Sequence, residues 1–404
     1  MILLSALLFV VGQLLMPKPQ IEHAKKGNVD EFSFPTASED RAIPAVWGTN
    51  RITGSNVVWY GDFDSVPLMT KVRTGVFSDK WQTVGWQYFA GFHFALCLGP
   101  IDAISQVRIG KKDVLSSQSR GDVNAGGITN FVSPYGLTYP TTMSINEPEI
   151  HGGYKHGGGV TGLIDFYAGW ENAAPSAYLK SAISRGDNPE WQAYIPSYPG
   201  LCTVMVRGGD TKPANVGERV SIAPWDFTVH RYPNPLGLPA NETKLNLDPI
   251  DGHGDCNAMN VLYEILTDSD FGLGMLPANL DVPSFVAAAS TLAEEDLGFS
   301  YLLQSATEAK TAVEDILEHC NAAMFQDQEG LLTVKLIRKD YDAEVIPAFN
   351  RDNIIKFKSL ERGAWSDTNN TVHVKYVDWT QDFVETVAPA YDLGNIQMSG
   401  GQQN

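Results

Sequence analysis

The residues that raise a question of chemistry in this 404-residue chain are a few histidines, cysteines and acidic pairs. Asp251-Gly-His253-Gly-Asp255-Cys256 gathers four possible metal ligands within six residues and is the better metal candidate. It lacks the register of a calcium loop, and Asp255 is already accounted for as the N-cap of a following helix. His151 and His156 in HGGYKHGGG have zinc-type side chains, but no Cys or carboxylate stands beside them at ligand spacing, so a glycine-rich surface loop explains them. Glu294-Glu295-Asp296 and Asp268-Ser-Asp270 could suggest glycoside hydrolysis. That chemistry needs two carboxyls about 5–10 Å apart across a cleft, whereas sequence neighbours on a helix usually face solvent. His93, inside an apolar strand, reads as a satisfied core or interface histidine and not as a general base. The chain has no G-x-S-x-G, P-loop or H-E-x-x-H motif, and no G-x-G-x-x-G after a strand. The expectation is a structural or binding protein with no catalytic, cofactor-binding or metal residues.

The elements that would carry these residues follow from composition and period. Hydrophobic residues make up 43% and charged residues 19%, as in folded chains, and the length suits two to four modules. The 37 glycines and 23 prolines imply many turns and much β structure. Net charge is −18, and no run of Lys and Arg stands ready to release phosphate counterions, so non-specific nucleic-acid binding is not expected, and a sequence-specific nucleic-acid partner is not expected either. An acidic surface suits solubility, and also a channel wall along which DNA slides without sticking. Cys97, Cys202, Cys256 and Cys320 are far apart with no CxxC pair, which predicts buried free thiols in a reducing cytoplasm. Residues 1–16, MILLSALLFVVGQLLM, lack a basic leader and are short for a membrane span, so they read as a helix or extended arm buried against protein, with a membrane segment or uncleaved signal as the alternative.

Strand patterns cover 42–46 and 51–60 around a Gly48-Thr49-Asn50 turn, then 87–98, 103–109, 160–166, 200–206 and 225–232. Residues 87–98 are apolar on both faces, the mark of a strand covered on both sides. Helices are predicted after Asp255, from Pro283 with Ser284 to Leu297, and after the capping box Ser305-Ala-Thr-Glu308, with Ala309, Ala312, Val313, Ile316, Leu317 and Cys320 on one face. A hairpin turns at 327–330, and 371–377 alternates Val372, Val374 and Tyr376 against His373 and Lys375.

The segments FPTASEDRAIPAVWGT, GSNVVWYGD, YFAGFHFALCLGPIDAI, NVLYEILTDSDFGLG, LTVKLIRKDYD and NTVHVKYVD, in that order, give the chain a resemblance to the tail-tip (baseplate) hub proteins of long-tailed bacteriophages and gene transfer agents. The resemblance implies an α+β, mainly β fold: two small tail-tube-like β-barrels with a loop-rich insertion and a helical insertion. On that pattern, residues 1–35 are an apolar arm and linker and 36–112 are barrel one. Residues 113–199 are the loop-rich insertion, 250–328 the helical insertion, 200–249 with 329–392 barrel two, and 393–404 a trailing segment. The implied function is that of a homotrimeric virion protein, not an enzyme. It would cap the tail tube, nucleate tail assembly and form the channel for the tape-measure protein and the ejected DNA. Implied partners are tail-tube or distal tail proteins, the tape measure, and other tail-tip and fibre proteins. The place would be the virion tail tip, after assembly in the host bacterial cytoplasm. The alternative is a cell-surface carbohydrate-binding or cell-wall-degrading tail module.

Overall fold

Alternating apolar residues build two antiparallel sheets around one core. The computed structural model describes residues 22–27, 42–73, 79–116, 129–130, 141–150, 153, 159–186, 189–218, 222–248, 253–304, 309–342, 344–356, 358–359 and 368–402. Residues 1–16, the predicted capping box at 305–308, Asp251, His151 and His156 lie outside them. The chain divides into two units, Met1–Ile337 and Arg338–Asn404.

In the first unit the strands begin with β1 (Ala45–Thr53), β2 (Asn56–Arg73), β3 (Asp79–Leu98), β4 (Ala103–Ile109) and β5 (Lys112–Ser116). Next come β6 (Thr129–Asn130), β7 (Thr141–Glu147), β8 (Val160–Tyr167), helix α1 (Ala177–Arg185), β9 (Leu201–Arg207), β10 (Ala214–Gly217) and β11 (Trp225–Arg231). One sheet has the order β10-β3-β9-β8-β7 with β2 also on β3. β10 resumes the course of β9 between β3 and β8 once the loop 208–213 has been extruded. The other sheet runs β15-β1-β11-β4-β5 with β6 on β4, where β15 is Tyr301–Leu303. Phe92, Phe94 and Leu96 of β3 meet Ile104 and Val107 of β4, Ile164 of β8, Val204 of β9 and Phe227 of β11 in the core between them. The other face of β3 lies under α1, whose buried Tyr178 and Leu179 cluster with Met205 and Tyr167. Gly91 permits this, because a Cβ there would collide with the Tyr178 hydroxyl. The strand predicted to be covered on both sides is so covered.

A helical layer follows: α2 (Ala240–Thr243), β12 (Lys244–Leu245), β13 (Asp255–Asn257), α3 (Ala258–Thr267), α4 (Val282–Glu294), β14 (Gly298–Phe299) and α5 (Ala309–Cys320). Its core joins the hairpin β16 (Ala322–Gln326) and β17 (Leu332–Leu336) to Ala45 and Trp47 of β1, while Val46 points into the sheet core. This is the period-two alternation of a strand shared by two cores. Among the described residues no helix is long and apolar enough to cross a membrane.

The second unit holds the ribbon β18 (Thr371–Asp378) and β19 (Val384–Tyr391) and helix α6 (Leu393–Ser399). Asp392 caps α6 by accepting from the Asn395 N–H, and Asn370 Nδ2 donates to Ser399 Oγ at 3.0 Å, tying helix to ribbon.

The molecule is mainly β with several helices and multiple antiparallel sheets, as expected. Several finer expectations are corrected. Gly48-Thr49-Asn50 is not a turn: β1 runs through it, paired to β11 from Gly48↔Arg231 to Thr53↔Asp226, and the chain turns at Gly54 instead. Gly48 is needed because its φ is +71° and a Cβ would meet Ser300. Strands β9 and β11, assigned to a second barrel with 329–392, hydrogen-bond to β3 and to β1 and β4. β8, assigned to an insertion, sits inside the sheet between β9 and β7 because its alternate residues complete the common core. Asp255 does not cap α3; Asn257 does, accepting from the Met259 N–H at 3.1 Å. The segment placed as a trailing end contains a capped helix.

Candidate assembly interface

Strands β2 and β3 continue past the sheet as a two-stranded ribbon. β10 leaves β3 at Tyr88, but β2 and β3 stay paired from Ser65↔Tyr88 to Arg73↔Asp79, about 30 Å at the usual strand rise. One exposed edge of this ribbon is covered by residues 22–27 of the same chain. The Ala24 N–H donates to the Thr83 carbonyl at 2.9 Å and the Thr83 N–H donates to His23 Nδ1 at 3.1 Å. Trp86 Nε1 donates to the Ala24 carbonyl at 3.0 Å, and the Gly27 N–H donates to Tyr88 Oη at 2.9 Å. A strap of this kind blunts an edge that would otherwise template further strand pairing.

The ribbon faces are less well covered. Val66, Met69, Trp81 and Val84 are all about half exposed. Among the described residues Lys25, Lys26, Lys71, Arg73 and Lys80 stand on the strap and ribbon with Glu22 and Asp79, and the Glu218 carboxylate reaches the ribbon at Gly85, on a chain whose net charge is −18. Lys71 Nζ lies 5.1 Å over the Trp81 ring and Lys26 Nζ 5.9 Å over Trp86. No run of cations exists along the sequence; folding assembles this one from three segments. In the second unit, Val372, Val374 and Tyr376 stand across from Ala390, Ala388 and Thr386, an uncharged and solvent-exposed ribbon face. The opposite face carries the Lys375–Glu385 ion pair.

The residues singled out for chemistry are occupied elsewhere. Asp255 accepts from Ser300 Oγ at 2.5 Å and from Asn246 Nδ2 at 3.0 Å. Cys256 is buried, accepts from the Gly48 N–H at 3.0 Å and donates to the Arg231 carbonyl at 3.2 Å; burial pushes its thiol pKa well up. His253 packs edge-on to His230, whose Nδ1 bonds Thr49 Oγ1 at 3.0 Å and Nε2 bonds Ser105 Oγ at 2.7 Å. Asp268 accepts from the Asp270 and Phe271 N–H groups, closing the turn after α3. Glu294, Glu295 and Asp296 are exposed at the end of α4. Among the described residues no group of three metal-binding side chains comes together.

His93 departs from its reading as a satisfied histidine. It is 2% exposed, sits edge-on to Tyr198 at 5.1 Å, and neither ring nitrogen has a protein hydrogen-bond partner. Burial lowers its pKa to about 3, so the ring is neutral.

The helical layer is locked to the sheet by one acidic residue that sequence reasoning missed. Glu264 of α3 accepts from Trp47 Nε1 at 2.6 Å, Arg231 Nη2 at 2.6 Å and Arg231 Nη1 at 3.0 Å. Glu264 lies between apolar Tyr263 and Ile265, a hint that it is turned inward, but its partners are 33 and 217 residues away.

No family model matches the sequence, and no curated protein matches it. Among solved structures the chain is similar to a chain from the virion of a native gene transfer agent (GTA) particle, with a TM-score of 0.48 and 14% identity over 97% of this chain and 77% of that one.

Proposed function

We propose that this chain is a structural virion protein, a trimeric hub at the tip of a phage-like tail. It caps the tail tube, nucleates tail assembly and leaves a channel for the tape-measure protein and the DNA. The observation that carries this reading is the projecting ribbon, with its apolar and cationic surface on an acidic chain. Such a surface suits burial against another molecule better than life in water. The ordered run of hub-like segments supports the same reading. On it, the uncharged ribbon face of Val372, Val374 and Tyr376 is buried against a neighbouring molecule in the assembly. Tail-tube or distal tail proteins dock on the ring, and tape-measure and fibre proteins engage it, once the chain leaves the host cytoplasm for the tail tip. Light scattering and cryo-microscopy with co-expressed tail proteins test this. Three copies ringing an axis are expected; a chain that stays monomeric beside its tail partners overturns it.

A further inference from the structure

The charge of the chain is unevenly placed. Residues 251–337 contain 15 Asp and Glu residues against two lysines, Lys310 and Lys335, and so hold −13 of the net −18. Folding gathers part of this charge onto one exposed face. His319 Nε2 of α5 donates to the Gly298 carbonyl at 2.9 Å, which brings the acidic turns of α5 beside the end of α4. Glu294 and Asp296 at the end of α4 are exposed, as are Glu314, Asp315 and Glu318 on α5. Lys310, on the same helix, is paired to Glu314 at 3.5 Å.

The cationic surface stands at the other end of the same unit. Met69, Lys71 and Arg73 follow one another on one face of β2, across from Thr83, Trp81 and Asp79 of β3, and all but Thr83 are exposed. From this ribbon β3 runs on to Leu98, which packs against the core of the helical layer, roughly 55 Å along the strand from Trp81. In one copy neither surface covers the other, for Trp81 stays 56% and Met69 52% exposed. Surfaces of opposite charge fixed at the two ends of one strand can meet only between copies.

We propose that the apolar, cationic face of the β2–β3 ribbon docks on the acidic face of α4 and α5 in a neighbouring copy. This rests on the reading of the chain as a self-assembling hub and names the two surfaces that join its subunits. Opposite charge steers this pairing and disfavours ribbon on ribbon or acidic face on acidic face, each of which sets like charges together. Half-buried Tyr301, whose hydroxyl bonds Asp315 at 3.1 Å, offers Met69 and Trp81 an aromatic surface among the acids. Because the two surfaces differ, the contact is heterologous: every copy gives a ribbon and receives one, and a ring closes where the rotation between copies divides a full turn.

Carbodiimide, which joins an amine directly to a carboxylate, tests this on an equal mixture of unlabelled and heavy-isotope-labelled full-length chains at low salt. Linked peptides that pair Lys71 of one isotope with Glu294, Glu314, Asp315 or Glu318 of the other are expected. Lys71→Glu with Arg73→Glu, and separately Glu294→Lys with Glu318→Lys, should each lower association in sedimentation at least about tenfold while Tm stays within a degree or two. All four changes in one chain should restore association to within about twofold of the parent. Undiminished association of either double variant, no recovery in the fourfold variant, or Lys71 links confined to one isotope overturns the docking. So does ribbon-dependent binding of phosphatidylserine vesicles without any link between chains. A threefold ring whose links run elsewhere overturns the docking and leaves the hub reading standing, whereas the expected links in a chain that never enters a tail do the reverse. A parent chain that stays monomeric alone and beside tail proteins overturns both.

Discussion

Replacing Glu264 by Ala removes the one carboxylate that serves both the Arg231 guanidinium and the Trp47 indole where the sheet meets the helical layer. Arg231 is about one-tenth exposed, so the deletion leaves a buried charge without its partner. Breaking such a pair from one side costs about 3–5 kcal/mol. With an unfolding entropy of about 2 cal/mol/K per residue, roughly 300 cooperating residues would lose about 5–8 °C in Tm. If the helical layer of roughly 100 residues melts by itself, the first transition should fall by about 15–25 °C. Calorimetry on purified protein distinguishes the two cases. The double variant Arg231→Met with Glu264→Met should recover at least about 1.5 kcal/mol relative to the sum of the single changes, because neither charge is then stranded. A Glu264→Ala protein melting within about 1 °C of the parent, or a strictly additive double variant, refutes the claim that this pair clamps the two layers.

Burial holds both His93 and His230 at a pKa of about 3. The folded state keeps them neutral while the unfolded chain protonates them below about 6.5, so stability is present above that pH and lost as pH falls toward 3. At pH 5 the loss is roughly 2 kcal/mol per histidine, and His93→Leu should remove about half of that slope in denaturant melts at pH 7 and pH 5; an unchanged slope refutes the assignment. Phe92→Asp puts a carboxylate into the core between the sheets and should abolish soluble expression; a normal yield contradicts the buried position. The ribbon variant Trp81→Ser with Val84→Ser should leave Tm within a degree or two yet block association in sedimentation with tail partners. Unimpaired association would remove the ribbon from the interface.

The two-faced pattern of residues 87–98 and the helical stripes of α3 and α5 were legible because each depends on spacing within one element. What stayed hidden depends on contacts between distant segments. Gly48 reads locally as a turn residue, and only Ser300 packed against it explains why a strand needs glycine there. Residues 22–27 have no periodicity and acquire meaning only through Thr83 and Trp86. β8 was legible as a strand at 160–166, but the glycine-rich stretch around it reads as an insertion, and only its pairing with β7 and β9 puts it inside the sheet. The same holds at the candidate sites: Asp255 and Asn257 both precede α3, and local preference alone does not decide between them, whereas Ser300 and Asn246 claim Asp255.

The order in which the strands are joined sets a condition on synthesis. β3 emerges from the ribosome with β2 beside it, but its other neighbour, β9, follows roughly one hundred residues later, about 5–20 s at ordinary elongation rates. For that interval the strand that carries Phe92, Phe94 and Leu96 into the core has one naked flank, so nascent chains stalled before Leu201 should be the ones that chaperones hold.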